Sequence, residues 1–476
     1  MKRRTAALFV TVIMIACTLC GCGSFSFNSA ENLIRPPKLS GDDGKLQAAF
    51  ENALTDKGEY ILKYPSSGDY RSAYVRYDVD GDGRDEAFVF YSLKAEAMNI
   101  YMYMLDCSET GDWIPVGEVM GDGNDIFSVE FCDLNDDGVA EVLAGWSSLD
   151  VKVNKKLSVY ASAAEDTIDY KAVAIETYTE MYTVDLDGDG EKEIFTVLIN
   201  STSDTYTTEA RLLKMTSENN SGFKMSPVGQ VSLYSEMTAV MGIVSGTSEG
   251  KRYIYIDEAA GNTYLTEIVY WDSVNDALVM PLKVDMISVS SLPTSRSLPM
   301  KCADIDGDGE IEIPSTVLHT DSSIVMRSEN SEDAAVPNAA PEVNPANVYI
   351  TNWNKFSEGK FTTVCSYINN QNDEFKIKYD KDKMKNRSVI MYPEDHLTQV
   401  FLITRNADPE AADETTLLFS INAVEKSESV SIGSYLLTGD NYKYTLEITD
   451  AGEKLGITKS YVMSIFDLSG NQEIYS

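Results

Sequence analysis

Residues 78–86 read DVDGDGRDE, and the same nine-residue pattern returns as DLNDDGVAE at 133–141, DLDGDGEKE at 185–193 and DIDGDGEIE at 304–312. With the first Asp as position 1, oxygen-bearing side chains stand at positions 1, 3, 5 and 9. They are Asp78, Asp80, Asp82 and Glu86; Asp133, Asn135, Asp137 and Glu141; Asp185, Asp187, Asp189 and Glu193; Asp304, Asp306, Asp308 and Glu312. Alternate positions of a tight turn converge on one centre. The Gly at position 6 of each copy (Gly83, Gly138, Gly190, Gly309) permits the positive φ that a sharp reversal needs. The carbonyls of Arg84, Val139, Glu191 and Glu310, at position 7, are placed to serve the same centre. Three or four carboxylates so close repel one another unless a cation lies between them. Hard oxygen ligands in a flexible ring suit Ca²⁺ better than Mg²⁺, which demands a strict octahedron. The expectation is about four structural Ca²⁺ ions. A metal-free acidic turn is the alternative, and it suits one copy better than a series of matching ones.

An EF-hand loop starts the same way but closes with a carboxylate at position 12 and enters a helix. Position 12 here is Val89, Ala144, Thr196 or Ser315, and the following runs AFVFY, VLAGW, IFTVLI and IPSTVL favour strands. The preceding runs AYVRY, FSVEFC, MYTV and MKCA read as strands too, so each acidic turn is expected to join two strands. The pattern resembles the calcium loops of FG-GAP/VCBS-type repeats, the blades of integrin-α-like β-propellers, whose motif DxDxDGxx(D/E) it matches with Asn135 as the one departure. The literal FG and GAP sequences are absent, which places the likeness with the bacterial VCBS-like branch. The resemblance implies a mainly β fold, a propeller of four-stranded blades, with calcium in a structural role at the positions named above.

Successive copies start 55, 52 and 119 residues apart, and the last interval is close to double the others, so a copy that has lost its acids is expected near residue 240. TAVMGIVSGTSEGKRYIYID at 238–257 supplies a strand, a Gly/Ser turn and a strand. NIYMYML and WIPVGEVM complete four strands in the first unit, a number that suits a propeller blade. The expected organisation is a propeller of about five blades over 70–367, a polar insert at about 327–346 rich in Pro, Ala and Asn, and a small α+β domain over 368–476. KLQAAFENAL at 45–54 reads as a short amphipathic helix with Leu46, Ala49, Phe50 and Leu54 on one side.

The N-terminus bears on location. MKRR followed by an apolar stretch from Ala6 to Leu19 reads as an export signal over 1–21, too short for an ordinary spanning helix. Leu19-Cys20-Gly21-Cys22 resembles the bacterial lipobox and makes Cys22 the expected lipidation site, with Cys17 as a weaker alternative. Residues 22–69 then hold a lipidated tether and the short helix. The chain would sit on the outer face of a cell membrane by its lipid. Its formal charge of −36 opposes contact with phosphate backbones, so nucleic acid is not expected as a partner. The remaining cysteines, Cys107, Cys132, Cys302 and Cys365, lack metal spacing, and with two His in the chain zinc has few ligands to draw on.

No GxSxG or HExxH motif occurs, and the conspicuous acids are already assigned to metal. The leading expectation is a binding module for a surface protein or polysaccharide. A polysaccharide hydrolase or lyase and a structural envelope lipoprotein are the alternatives.

Overall fold

The computed structural model describes residues 41–148, 154–162, 170–201, 206–218, 222–282, 292–319, 347–407 and 413–469. The expected export signal, Cys22 and the insert at 327–346 lie outside the described residues. The chain is mainly β, in antiparallel sheets of four or five strands. It divides into two compact units, one running to Asp78 and from Asp82 to Gly121, the other holding Val79–Gly81 and everything from Asp122 onward.

The first unit pairs helix α1 (Asp42–Ala53) with one sheet built from β1 (Tyr60–Leu62), β2 (Tyr74–Tyr77), β3 (Glu86–Leu93), β4 (Tyr101–Cys107) and β5 (Trp113–Met120). β1 and β2 both pair with β3, so a strand falls inside the stretch expected to be tether and helix alone. The helix buries Leu46, Phe50 and Leu54 as the one-sided apolar spacing requires. Phe50 is the centre of this small core, with the rings of Tyr60, Tyr74, Tyr91 and Tyr103 edge-on to it at centroid distances from 5.3 to 5.9 Å.

The second unit is a succession of sheets in chain order. The first has β6 (Asp125–Cys132), β7 (Glu141–Ser147), β8 (Lys155–Ala161) and β9 (Lys171–Tyr178). Next come β10 (Glu180–Val184), β11 (Glu193–Ser201), β12 (Tyr206–Glu218) and β13 (Gly222–Ser232), then β14 (Ala239–Ser248), β15 (Lys251–Ala260), β16 (Thr263–Asp272) and β17 (Ala277–Val279). The fourth sheet holds β18 (Glu312–Leu318), β19 (Tyr349–Ser357), β20 (Lys360–Asn370) and β21 (Phe375–Lys378). The last is β22 (Arg387–Tyr392), β23 (Leu397–Thr404), β24 (Glu414–Glu425), β25 (Tyr435–Thr438) and β26 (Tyr442–Ile448), followed by helices α2 (Asp450–Lys454) and α3 (Lys459–Ile465). A final strand, β27 (Phe466–Leu468), returns to pair with β21.

Continuous apolar runs explain why these sheets stack. A strand covered on both faces has no solvent side, so both of its alternating sets are apolar. In β11, Ile194 packs with Leu143 and Val159 of the preceding sheet while Phe195 and Val197 pack with Ile254 and Ile256 of the following one. In β15 those two isoleucines alternate with Tyr253 and Tyr255, which meet Ile313 and Phe356 of the next sheet. Ile368, Phe375 and Ile377 then share a core with Val389, Val400 and Phe419. β21 lies beyond residue 367 yet is the fourth strand of the sheet that begins with β18.

The unit expected near residue 240 is a sheet whose first hairpin, β14 to β15, turns on Glu249 and Gly250, both at positive φ, the signature of a two-residue primed turn that needs no side-chain ligands. MKCA was expected as a strand and contributes a single bridge, Ala303 to Glu312. What holds that stretch is Arg296, fully buried, which pairs with Asp257 at 2.8 Å and donates to Thr266 Oγ1 at 2.8 Å and to the Met300 carbonyl at 2.7 Å. Asp257 also accepts from the Cys302 N–H at 2.8 Å. With all of these bonds made, a buried ion pair holds its geometry.

Beside it on β15, Glu258 is fully buried. Burial, with the charge of Glu267 added and Asp257 contributing, pushes its carboxyl well above the usual carboxylate range, while Arg296 pulls the other way. Because the folded state holds this proton more tightly than the unfolded chain, its contribution is fully present below the unfolded value near 4.5 and is lost as pH rises toward the folded value. Glu258→Gln keeps the neutral form at every pH. Its stability advantage over the parent chain should therefore grow between about pH 4 and pH 7, as read by urea unfolding; a constant difference across that range would show that Glu258 does not carry the linkage.

Candidate metal loops

Each acidic loop closes in the same way. The glutamate at position 9 opens the next strand and turns inward: Glu86 is 2% exposed, and Glu141, Glu193 and Glu312 are 0% exposed. One of its oxygens accepts the N–H of position 2, from Leu134 to Glu141 Oε2 at 2.8 Å, Leu186 to Glu193 Oε2 at 2.8 Å and Ile305 to Glu312 Oε2 at 2.9 Å. The aspartate at position 1 accepts from within the turn, from Gly83 to Asp78 Oδ2 at 3.0 Å, Gly138 to Asp133 Oδ2 at 2.9 Å, Gly188 to Asp185 Oδ1 at 2.8 Å and Gly309 to Asp304 Oδ2 at 2.9 Å. The aspartate at position 5 accepts the N–H of position 7: Arg84 to Asp82, Val139 to Asp137, Glu191 to Asp189 and Glu310 to Asp308, at 2.8 to 3.0 Å. Asp133 and Asp304 accept on Oδ1 as well, from Asn135 and Asp137 and from Gly307 and Asp308, so a ligand there would share oxygens that already hold the turn.

In the 185–193 loop, oxygens of Asp185, Asp187 and Glu193 lie within 4.8 Å of one another, as do those of Asp304, Asp306 and Asp308 in the 304–312 loop. In the 78–86 loop the Arg84 guanidinium pairs with Asp82 and donates to the Cys107 carbonyl, while Asp80 belongs to the three-residue stretch that groups with the second unit. The 133–141 loop is laced by its own amide: Asn135 Nδ2 donates to Asp137 Oδ2 at 2.9 Å, and Asn135 Oδ1 accepts the Asp137 N–H at 3.2 Å.

Glu141 tests whether these residues fit a cation. Its Oε1 is buried with no hydrogen-bond partner. Burial, opposed by the Leu134 N–H and reinforced by the charges of Asp137 and Asp133, pushes its carboxyl up to about 8. A carboxylate in that position is costly unless a positive charge meets it. The donor set of hard oxygens, with Glu141 Oε1 waiting, fits a Ca²⁺ ion, which would supply charge neutralisation and cross-link the two strands of the hairpin.

The other two loops of the second unit have a feature that sequence reading missed. Lys214, from β12, places Nζ 2.8 Å from Asp187 and 3.3 Å from Glu193 Oε1, and also pairs with Asp189. Lys355, from β19, pairs with Asp308 and lies 3.1 Å from Glu310 and 3.7 Å from Glu312 Oε1. Burial alone would lower the Lys214 ammonium, but its bonds to Asp187 and Asp189 outweigh that and hold it above the ordinary lysine value. The hydrogen bond to Asp308 raises Lys355 in the same sense. Glu191 and Glu310, expected to act through their carbonyls, also send carboxylates toward these lysines.

Cys107, Cys132, Cys302 and Cys365 are free thiols, and burial pushes Cys132 up to about 11, far from the reactive range. No protein-family model matches the chain, and no curated protein matches it in sequence.

The position-6 glycines sit at φ between 85° and 100° (Gly138 at 85°, Gly190 at 100°), and a Cβ built on them meets no atom within 4 Å. The cost of a side chain there is therefore conformational alone. Gly190→Ala should lower stability by about 1–2 kcal/mol and Gly190→Asn by less. Urea unfolding followed by tryptophan fluorescence checks this, and an Ala variant as stable as the parent would refute the requirement for a left-handed residue.

Proposed function

We propose that the chain is a lipid-anchored β-propeller of about five blades, its hairpins pinned by structural Ca²⁺, that serves at the outer face of a bacterial membrane as a binding module for a surface protein or polysaccharide. The observation that carries the reading is the repeated loop closure, with the buried, unpartnered Glu141 Oε1 aimed into it. The blade assignment is supported by the chain-order packing of sheets in the second unit and by three of the acidic turns leading into the second strand of a hairpin, the fourth being closed by the single bridge from Ala303 to Glu312. The anchor rests on the sequence before Gly23 alone. No helix among the described residues is long and apolar enough to cross a membrane. Ion-pinned hairpins fix the shape of a surface and carry out no bond chemistry themselves, which is why a binding role is the economical one.

Ca²⁺ that binds only the folded state adds stability as RT ln(1 + [L]/Kd), about 1.4 kcal/mol per site at roughly ten times Kd. Chelation should lower the melting temperature and speed cleavage by added protease, and Ca²⁺ should restore both. A calorimetric trace unmoved by chelator would overturn the calcium reading. Cys22→Ser should abolish fatty-acid labelling and release the chain from membranes; label that persists would move the anchor to Cys17 or Cys20. Polysaccharide retained without release of shorter products fits the binding role, and product release would replace it with a hydrolase or lyase.

A further inference from the structure

The closing glutamate of each loop faces one residue on the next strand of its own sheet. The registers Ala87 to Leu105, Val142 to Tyr160 and Ile194 to Leu213, each taken one step back, and the pair Glu312 to Lys355 as it stands, identify that residue. Glu86 lies opposite Asp106, Glu141 opposite Ala161, Glu193 opposite Lys214 and Glu312 opposite Lys355. A single position of the repeat is thus an acid, a methyl group, and twice an ammonium.

The two ammonium groups stand where an ion would. Lys214 Nζ contacts the carboxylates at positions 3, 5 and 9 of its loop, Asp187, Asp189 and Glu193. Lys355 Nζ contacts the same three positions, Asp306, Asp308 and Glu312, at up to 3.9 Å, together with Glu310. The Oε1 atoms of Glu141, Glu193 and Glu312 all lack a hydrogen-bond partner, but the last two have an ammonium at 3.3 and 3.7 Å, where Glu141 lies opposite only the methyl of Ala161. The cation for that loop has to come from solution.

We infer that Lys214 and Lys355 are built-in counter-ions that take the place of Ca²⁺ in the 185–193 and 304–312 loops, confining calcium to the 78–86 and 133–141 loops. The inference rests on the calcium reading above. Loops of extracellular modules commonly bind Ca²⁺ with dissociation constants of about 10⁻⁴–10⁻³ M. A cation tethered beside its acids pays no further translational cost to reach them, whereas Ca²⁺ must be drawn from solution. The ammonium also donates directly to the carboxylates, and Ca²⁺ would have to expel it before gaining the same oxygens.

The test counts ions on the full-length chain in detergent, stripped with chelator and titrated with CaCl₂ by calorimetry, with native mass spectrometry as the second count. The parent should bind two. Lys214→Met and Lys355→Met, which keep the aliphatic stem and remove the charge, should each add one ion, and in chelator each should melt below the parent until Ca²⁺ is supplied. Ala161→Lys should remove one ion, so the count stays decisive even if a methionine variant fails to fold. Four ions on the parent would overturn the lysine inference and leave the calcium reading standing. Two on the parent with no gain in either methionine variant would overturn it as well. No ion on the parent or any variant would overturn the calcium reading, and this inference with it.

Discussion

The constraint on which each hairpin depends is a carboxylate buried at its base. The position-9 glutamate opens a strand whose first residues are buried, so it cannot turn to water. One oxygen is tied to the N–H of position 2, which fixes the turn, and the other is left facing the remaining acids. A turn built this way is stable only with positive charge at its centre. Glycine at position 6 lets the backbone make the reversal, and the aspartates at 1 and 5 supply the bonds that hold it. The chain draws that charge from a lysine on the neighbouring strand or from an ion outside, and in the first loop the Arg84 guanidinium also pairs with Asp82.

Stacking of the sheets follows from the strands that these turns join. β11 and β15 are apolar on both sides because the two alternating sets of each meet different neighbouring sheets. The sheet without an acidic loop replaces the charged turn with a two-residue primed turn at Glu249 and Gly250 and moves its buried charge into the sheet, where Asp257 and Arg296 tie down the segment leading to the 304–312 loop. Its polar groups thus position a neighbouring loop and no ion of its own.

Much of this was legible in the sequence, for physical reasons that differ by element. The loop ligands could be read because their spacing is local: oxygens at positions 1, 3, 5 and 9 and a glycine at 6 lie within nine residues. The helix with Leu46, Phe50 and Leu54 could be read because apolar periodicity on one face is also local. Strand β1 was missed because YIL is a three-residue run that gains its identity only by pairing with β3. MKCA was overread because its β-favouring residues are held by a buried arginine and not by a ladder. β21 was set apart from the preceding sheet because nothing local in FKIK says which strand it will join. Lys214 and Lys355 were invisible for the same reason. They lie 21 and 43 residues beyond the glutamates they face, and only strand register brings each pair together.

Those two lysines also bear on how an acidic chain divides its dependence on ions. Under the reading proposed above, the sheets from β10 to β21 need no external cation: one turns on a primed hairpin and two are neutralised from within. They also share their core, through Phe375 and Ile377, with the last sheet and its helices. The hairpins that call on solution calcium are those of β2–β3 and β6–β7, nearest in sequence to the expected lipid anchor. Loss of calcium would then loosen the N-terminal side of the chain first, while the larger C-terminal part keeps its turns. Exposed lysine pairs are weak where solvent screens them, but Lys214 has a side chain only 15% exposed and meets a glutamate that is fully buried. That burial is what allows a tethered ammonium to act as a permanent counter-ion; the first two loops bury their glutamates as well but have Asp106 and Ala161 in the place of the lysine.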